Sequence, residues 1–193
     1  MALRLDPADW AERCRSIELI VLDVDGVLTD GRIIINDDGV ESKNFCVRDG
    51  TGLYLWRKAG KRAAILSGRS ARVVDRRAAE LGIAPVVQGA SEKRAALQEM
   101  LESLRLSPRQ ACFMGDDLPD LPALLAAGVA ACPADAVEAV REACHFITAA
   151  PGGHGAVREL TEMLLRAQGI WDDVLASYNP GHRHNPLHPH LRV

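Results

Sequence analysis

The chain has 193 residues, with 23 Lys and Arg against 26 Asp and Glu for a formal net charge of −3, and 48% hydrophobic residues although only 4% are aromatic. At roughly 150 residues per domain, one α/β-sized domain with a real core is expected and two comfortable ones are excluded. So balanced a charge provides no field to draw in nucleic acid or anionic lipid, leaving small molecules and proteins as the expected partners.

The longest apolar run, Leu121 to Cys132, contains Pro122 and Gly128 and falls short of the roughly 20 residues a membrane span needs. Met1 to Pro7 shows no apolar stretch ahead of a small-residue cleavage site, so a cytoplasmic protein is expected. Five cysteines, at 14, 46, 112, 132 and 144, have no C-x-x-C spacing. That predicts reduced, mostly buried thiols rather than a disulfide framework or a zinc site.

In chain order, Asp6 ahead of Pro7 caps a short helix over about Pro7 to Cys14. Leu19 to Leu22 is a continuous β-branched and apolar run, the pattern of a strand buried on both faces of a parallel sheet. Arg32 to Asn36 and Val40 to Phe45 flank the turn Asp37-Asp38-Gly39, so a β-hairpin is inserted after the first strand, over about 32–46. Its three consecutive isoleucines are more apolar surface than a solvated hairpin exposes, and pairing with another subunit is expected. Further strands are predicted at Ala63 to Leu66, Pro85 to Val87, Ala111 to Met114, Val129 to Ala131 and His145 to Ile147. Helices are predicted between them at Ala71 to Leu81, Glu92 to Leu104, Pro119 to Ala127 and Ala136 to Ala143. Gly152-Gly153 opens a last helix to about Gln168. The alternation is βαβα, hence a Rossmann-like α/β sheet flanked by helices within one domain over 1–178. Residues 179–193, with four histidines among Pro and Asn, read as a flexible tail.

Ligands of open α/β sheets bind beyond the carboxyl ends of the strands. In this chain those ends carry Asp23 and Asp25, then Ser67-Gly68-Arg69, then Gly89 to Lys93, then Gly115-Asp116-Asp117 with Asp120. Several carboxylates at one edge repel unless a hard cation joins them, most simply Mg²⁺, and Mg²⁺ suggests a phosphate. Ser67 and the Gly68 amide can donate to phosphoryl oxygens, and Lys93 can offset the charge that develops in transfer. The set is a phosphoryl-transfer constellation. A phosphoreceiver-like signalling domain uses similar residues, but its acceptor follows the third strand, which here ends in Gln88-Gly89. A calcium loop starting at Asp23 fails because its twelfth position is Ile34 rather than Glu.

These residues resemble the four motifs of the haloacid dehalogenase superfamily, in order. Asp23-Val24-Asp25-Gly26-Val27-Leu28-Thr29-Asp30-Gly31, the hairpin, Val47-Arg48-Asp49-Gly50, Gly115-Asp116-Asp117 and Gly152-Gly153-His154-Gly155-Ala156-Val157-Arg158-Glu159 together resemble its capless subfamily of 3-deoxy-D-manno-octulosonate 8-phosphate (KDO 8-phosphate) phosphatases, over roughly Ile17 to Gly169. The resemblance implies a magnesium phosphatase of lipopolysaccharide precursor synthesis without a cap domain, acting on a sugar-acid phosphate and assembled as a homotetramer through the hairpins. It makes Asp23 the nucleophile and Asp25 the acid and base. It gives the metal to Asp23, Asp25 and Asp116, with Asp117 and Asp120 behind them, and the phosphoryl oxygens to Ser67 and Lys93. Sugar contacts fall to Arg48, Asp49 and Gly50, and to Arg69 and Arg77, which share one broad face if that stretch is helical. Tyr54 and His154 stand where many members have Arg, so a nonulosonate 9-phosphate is the alternative substrate.

Overall fold

A computed structural model describes residues 6–179; past Asn179 the expected tail lies outside the described residues. The order is α1 (Pro7–Ser16), β1 (Leu19–Leu22), β2 (Ile34–Ile35), β3 (Glu41–Ser42), α2 (Val47–Lys58), β4 (Arg62–Leu66), α3 (Arg72–Leu81), β5 (Val86–Val87) and α4 (Lys93–Leu104). It continues with β6 (Ala111–Met114), α5 (Leu121–Leu124), β7 (Val129–Cys132), α6 (Glu138–Ala143), β8 (Phe146–Ile147), α7 (Ala156–Ala167) and α8 (Trp171–Tyr178). Six strands form one parallel sheet in the order β5-β4-β1-β6-β7-β8, and β2 and β3 pair antiparallel as the hairpin.

Alternation along the strands decides which side chains face which layer. Ile20 and Leu22 join Cys112, Met114, Leu53, Trp56, Leu160 and Leu164 on one face, while Leu19 and Val21 join Phe113, Leu97, Leu101, Leu124 and Val140 on the other. Both faces are therefore covered, and β1 is buried throughout, as its sequence requires. The chain builds outward from β1 to β4 and β5, then returns to place β6 on the other side. The carboxyl ends of β1 and β6 thus bound the crevice where strand order reverses, the usual ligand position in such sheets. Among the described residues no helix is long and apolar enough to cross a membrane.

Four local features differ from expectation. The stretch from Val47 is a helix, α2, although Gly50 and Gly52 lie inside it. The reason is packing, since a Cβ at Gly52 would lie 2.5 Å from Thr161 Oγ1 and 3.0 Å from the Arg158 Cα of α7. The helix expected over Pro119 to Ala127 is a 3₁₀ turn, Leu118–Asp120, followed by the single turn α5; Pro119 and Pro122 each remove an amide donor there. α7 starts at Ala156, because Gly153 and Gly155 adopt positive φ and the glycine segment packs as a turn first. α8 follows Gly169, which ends α7's last turn at φ +72.

Candidate active site

β1 delivers Asp23 to its carboxyl end, 7% exposed, and the chain then winds tightly around one carbonyl. The amides of Val27, Leu28 and Thr29 all donate to Val24 O, at 3.3, 2.9 and 3.0 Å. Gly26 makes this turn with φ +87, and a Cβ there would meet Asp116 Oδ2 at 2.0 Å. Positive φ and close approach together require glycine. The Asp116 carboxylate, arriving from β6, is therefore seated against the backbone that follows the nucleophile candidate.

Asp120 orders this edge from below. Its Oδ2 accepts from the amides of Asp116 at 3.0 Å and Asp117 at 3.3 Å, while its Oδ1 takes a hydrogen bond from Lys93 Nζ. Gly115 leaves room for it, since a Cβ there would lie 2.4 Å from Asp120 Cγ. Lys93, the first residue of α4 and 5% exposed, also stands 3.0 Å from Asp23 Oδ1. That approach is off the hydrogen-bonding direction, so Asp23 Oδ1 stays buried without an aligned donor. Ser67 ends β4 at 3% exposure, its amide donating to Val87 O at 2.9 Å and its Oγ accepting from the Arg69 amide at 3.3 Å.

One lysine thus faces three carboxylates. Oxygens of Asp23, Asp116 and Asp120 all lie within 4.8 Å of one another. Burial, with the Asp120 charge behind it, pushes the Asp23 carboxyl up to about 6 although Lys93 pulls it back. Burial and then the charges of Asp23, Asp120 and Asp117 push Asp116 up to about 7. Burial pulls the Lys93 ammonium down, but the carboxylates of Asp23 and Asp120 outweigh it and hold Lys93 above its ordinary value. Hard oxygen donors, an orphaned buried oxygen and an excess of negative charge fit a small divalent cation. Asp120 already spends both oxygens on Lys93 and the two amides, which leaves Asp23 and Asp116 with the free lone pairs.

Asp25 lies beside this cluster in a second network. Its Oδ1 accepts from Lys43 Nζ, and its Oδ2 lies 3.5 Å from Arg69 Nε. Glu41 completes the set, with Oε1 2.7 Å from Lys43 Nζ and Oε2 3.1 Å from Arg69 Nη2. Neither Glu41 nor Lys43 was singled out from the sequence. In a hairpin arm reading Val40-Glu41-Ser42-Lys43-Asn44, alternating charge signals a solvated strand; only the two-residue spacing, which puts Glu41 and Lys43 on one side, hinted otherwise.

The expected sugar contacts are less uniform. Arg69 precedes α3, whose N-cap is Ala71, so it shares no helical face with Arg77; the Ser67-Gly68-Arg69 turn holds it toward Asp25 instead. Arg77 lies under α2, 2.6 Å from where a Gly50 Cβ would stand, and pairs with Glu80 at 2.8 Å. Arg48 is exposed on the first turn of α2. Asp49 is 1% exposed, and its oxygens accept from the amides of Gly155 at 3.2 Å and Arg158 at 2.8 Å at the start of α7. A carboxylate at a helix N-terminus is well placed to satisfy amides with no partner within the helix, so Asp49 joins α2 to α7. Asp117 is exposed and caps Leu118 at 2.7 Å. His154 turns Nδ1 onto Gly152 O at 2.8 Å, and Tyr54 is 51% exposed on α2.

Residues 45–128 match the family of haloacid dehalogenase-like hydrolases. The chain is 40% identical over 166 residues to the 3-deoxy-D-manno-octulosonate 8-phosphate phosphatase KdsC of Escherichia coli K12, covering 86% of this chain and 88% of that protein. The crystal structure of the corresponding phosphatase from Moraxella catarrhalis, in complex with magnesium, phosphate and KDO, superposes with a TM-score of 0.87 at 40% identity, covering 90% of this chain and 99% of that one. The cobalt-bound enzyme of Haemophilus influenzae gives a TM-score of 0.81 at 38% identity, over 83% and 94% of the two chains.

Proposed function

The chain belongs to the haloacid dehalogenase-like hydrolases, as a phosphomonoesterase of the KDO 8-phosphate phosphatase family, and from that premise we propose that it converts KDO 8-phosphate to KDO and phosphate through an aspartyl phosphate on Asp23. The observation that carries this reading is the buried Asp23 carboxylate, gathered with Asp116, Asp120 and Lys93 at the point where strand order reverses. Membership in this family sets aside the signalling-domain alternative, whose acceptor position holds no acid in this chain.

In the proposed mechanism an Asp23 oxygen attacks phosphorus and the bond to the sugar oxygen breaks. Asp25 gives its proton to that oxygen as it leaves. It then takes a proton from the water that attacks the aspartyl phosphate, restoring Asp23 and releasing phosphate. The Ser67 hydroxyl and the Gly68 amide hold the phosphoryl oxygens, and Lys93 balances their charge. The Asp23 carboxylate, the Asp25 carbonyl and Asp116 would hold magnesium, which would supply positive charge to offset that of the phosphoryl group and the nucleophile. Asp120 keeps Lys93 and the Asp116 backbone in place, with Asp117 at the rim. Arg48, Arg69 and Arg77 with the Gly50 backbone serve the sugar acid, while Asp49 acts by fixing α2 to α7. Residues 1–178 serve as one catalytic domain.

We infer that the hairpins join subunits into a tetramer, since Ile33, Ile34, Ile35 and Val40 are 42–60% exposed in the single chain. Cytoplasmic lipopolysaccharide precursor synthesis is the setting this substrate implies.

Phosphate release in Mg²⁺ from KDO 8-phosphate, a nonulosonate 9-phosphate and simple sugar phosphates at equal concentration tests the substrate. A kcat/KM for KDO 8-phosphate at least about tenfold above the others, or about 1.4 kcal/mol, is expected. Preference for the nine-carbon acid would transfer the protein to that substrate and assign the change to Tyr54 and His154.

The cation reading makes a separate prediction. Asp23 and Asp116 sit above the unfolded carboxylate value in the metal-free fold, at about 6 and about 7. Their contribution to stability is therefore present at low pH and lost as pH rises through those values. Bound Mg²⁺ removes that loss, so the gap between the Tm in Mg²⁺ and the Tm in chelator is expected to widen from about pH 5 to about pH 8. Parallel curves would mean that no cation sits between these carboxylates.

A further inference from the structure

Asp25 is the residue whose surroundings are least explained by the nucleophile's own neighbours. Its two oxygens are treated differently. Oδ1 accepts from Lys43 Nζ, whereas Oδ2 is buried with no hydrogen bond, Arg69 Nε standing 3.5 Å away. Lys43 is itself anchored: its side chain is 1% exposed, and Glu41, two residues earlier on the same hairpin arm, holds its Nζ at 2.7 Å. Glu41 in turn holds Arg69 Nη2 at 3.1 Å. The carboxylate is thus gripped on one oxygen by a buried ammonium from the hairpin, while the other, buried beside the Arg69 guanidinium, makes no hydrogen bond. A proton donor needs that arrangement, because a carboxylic acid that rotates freely presents its O–H to the leaving group only part of the time.

We propose that Lys43 is a positioning residue for the leaving-group step: by holding Asp25 Oδ1 it aims Oδ2 as the atom that hands its proton to the departing sugar oxygen. The hairpin thereby contributes to the chemistry of its own subunit, with Glu41 keeping the lysine in place. No charge or electron is left over, since the Oδ2–H bond breaks as the new O–H bond forms and the P–O bond to the sugar opens. The proposal rests on Asp25 being the donor.

The test uses single-turnover release of the leaving group, with enzyme in excess and Mg²⁺ present, from KDO 8-phosphate and from p-nitrophenyl phosphate. A sugar alkoxide needs the proton; nitrophenolate leaves without it. Lys43→Met is expected to slow sugar release by about 100-fold and nitrophenol release by less than about fivefold, with Lys43→Arg recovering at least about tenfold of the sugar rate. Rates are compared at saturating enzyme, where a disturbed Glu41–Arg69 contact to the sugar raises the half-saturation concentration and leaves the maximal rate; equal slowing of both maximal rates, or slowing of neither, would overturn the proposal. Asp25→Asn separates the two layers of inference. If it slows both substrates alike, the donor assignment itself fails; if it is selective while Lys43→Met is not, only the role of Lys43 fails. Should Lys43→Met not fold, Glu41→Gln decides, with selective slowing of sugar release expected and equal rates on both substrates counting against the proposal.

Discussion

Asp23→Asn is expected to lower kcat by more than about 10⁴-fold, the scale on which removal of a covalent nucleophile is felt, because an amide cannot form the aspartyl phosphate. Loss of activity alone does not distinguish a missing nucleophile from a damaged fold, so the informative half of this prediction concerns stability. In the metal-free protein Asp23 is one of three crowded carboxylates, buried and pressed by Asp120. Asn keeps the shape, removes one negative charge and still leaves Lys93 its bond to Asp120. The Tm in chelator is therefore expected to hold or rise, while the additional stabilisation by Mg²⁺ shrinks. An Asn variant that turned over at more than a hundredth of the parent rate, measured by phosphate release, would remove Asp23 from the centre of the mechanism.

Lys93→Met should do the opposite to the fold. Among the described residues Lys93 is the one cation paired with Asp23 and Asp120, and all three are buried. Its removal leaves paired negative charge in a dry pocket, which costs about 3–5 kcal/mol when one partner of a buried pair is lost. It also deprives the phosphoryl group of its balancing charge, a loss of about 10²–10³ in kcat. Thermal unfolding in chelator should show the drop, and Mg²⁺ should recover part of the stability without recovering turnover. A variant as stable as the parent in chelator would mean that Asp23 and Asp120 are not both charged in the fold.

The parts of this molecule that could be read from its sequence are those where one residue's neighbours are its chain neighbours. Leu19 to Leu22 announced a strand buried on both faces, and Asp23, Ser67, Lys93 and Asp116 announced themselves by following successive strands, so sheet order alone brought them together. Helix α2 was not expected over Val47–Lys58, because what holds it is tertiary packing: Gly50 and Gly52 are the flat places where it meets Arg77 and α7. Asp49 was assigned to a ligand because it stands in a motif with Arg48 and Gly50. Its two bonds to amides more than a hundred residues downstream could not be seen from its own surroundings. Lys43 and Glu41 escaped for a related reason: a charge on a hairpin is normally solvated, and only its partner across the fold reveals that this one is buried.

The glycine turn ahead of α7 bears directly on the nucleophile loop. A Cβ at Gly152 would stand 1.8 Å from Gly26 O, the Gly153 amide donates to Val27 O at 3.0 Å, and the Gly152 amide donates to Asp135 at 2.9 Å. The loop after β1 is thus propped from outside by residues made late in synthesis. A nascent chain that has already emerged past Asp120 carries Asp23, Asp116 and Asp120 and lacks the glycine turn that packs against the loop after β1. The packing that shapes the loop after β1 is therefore completed only by the last quarter of the polypeptide.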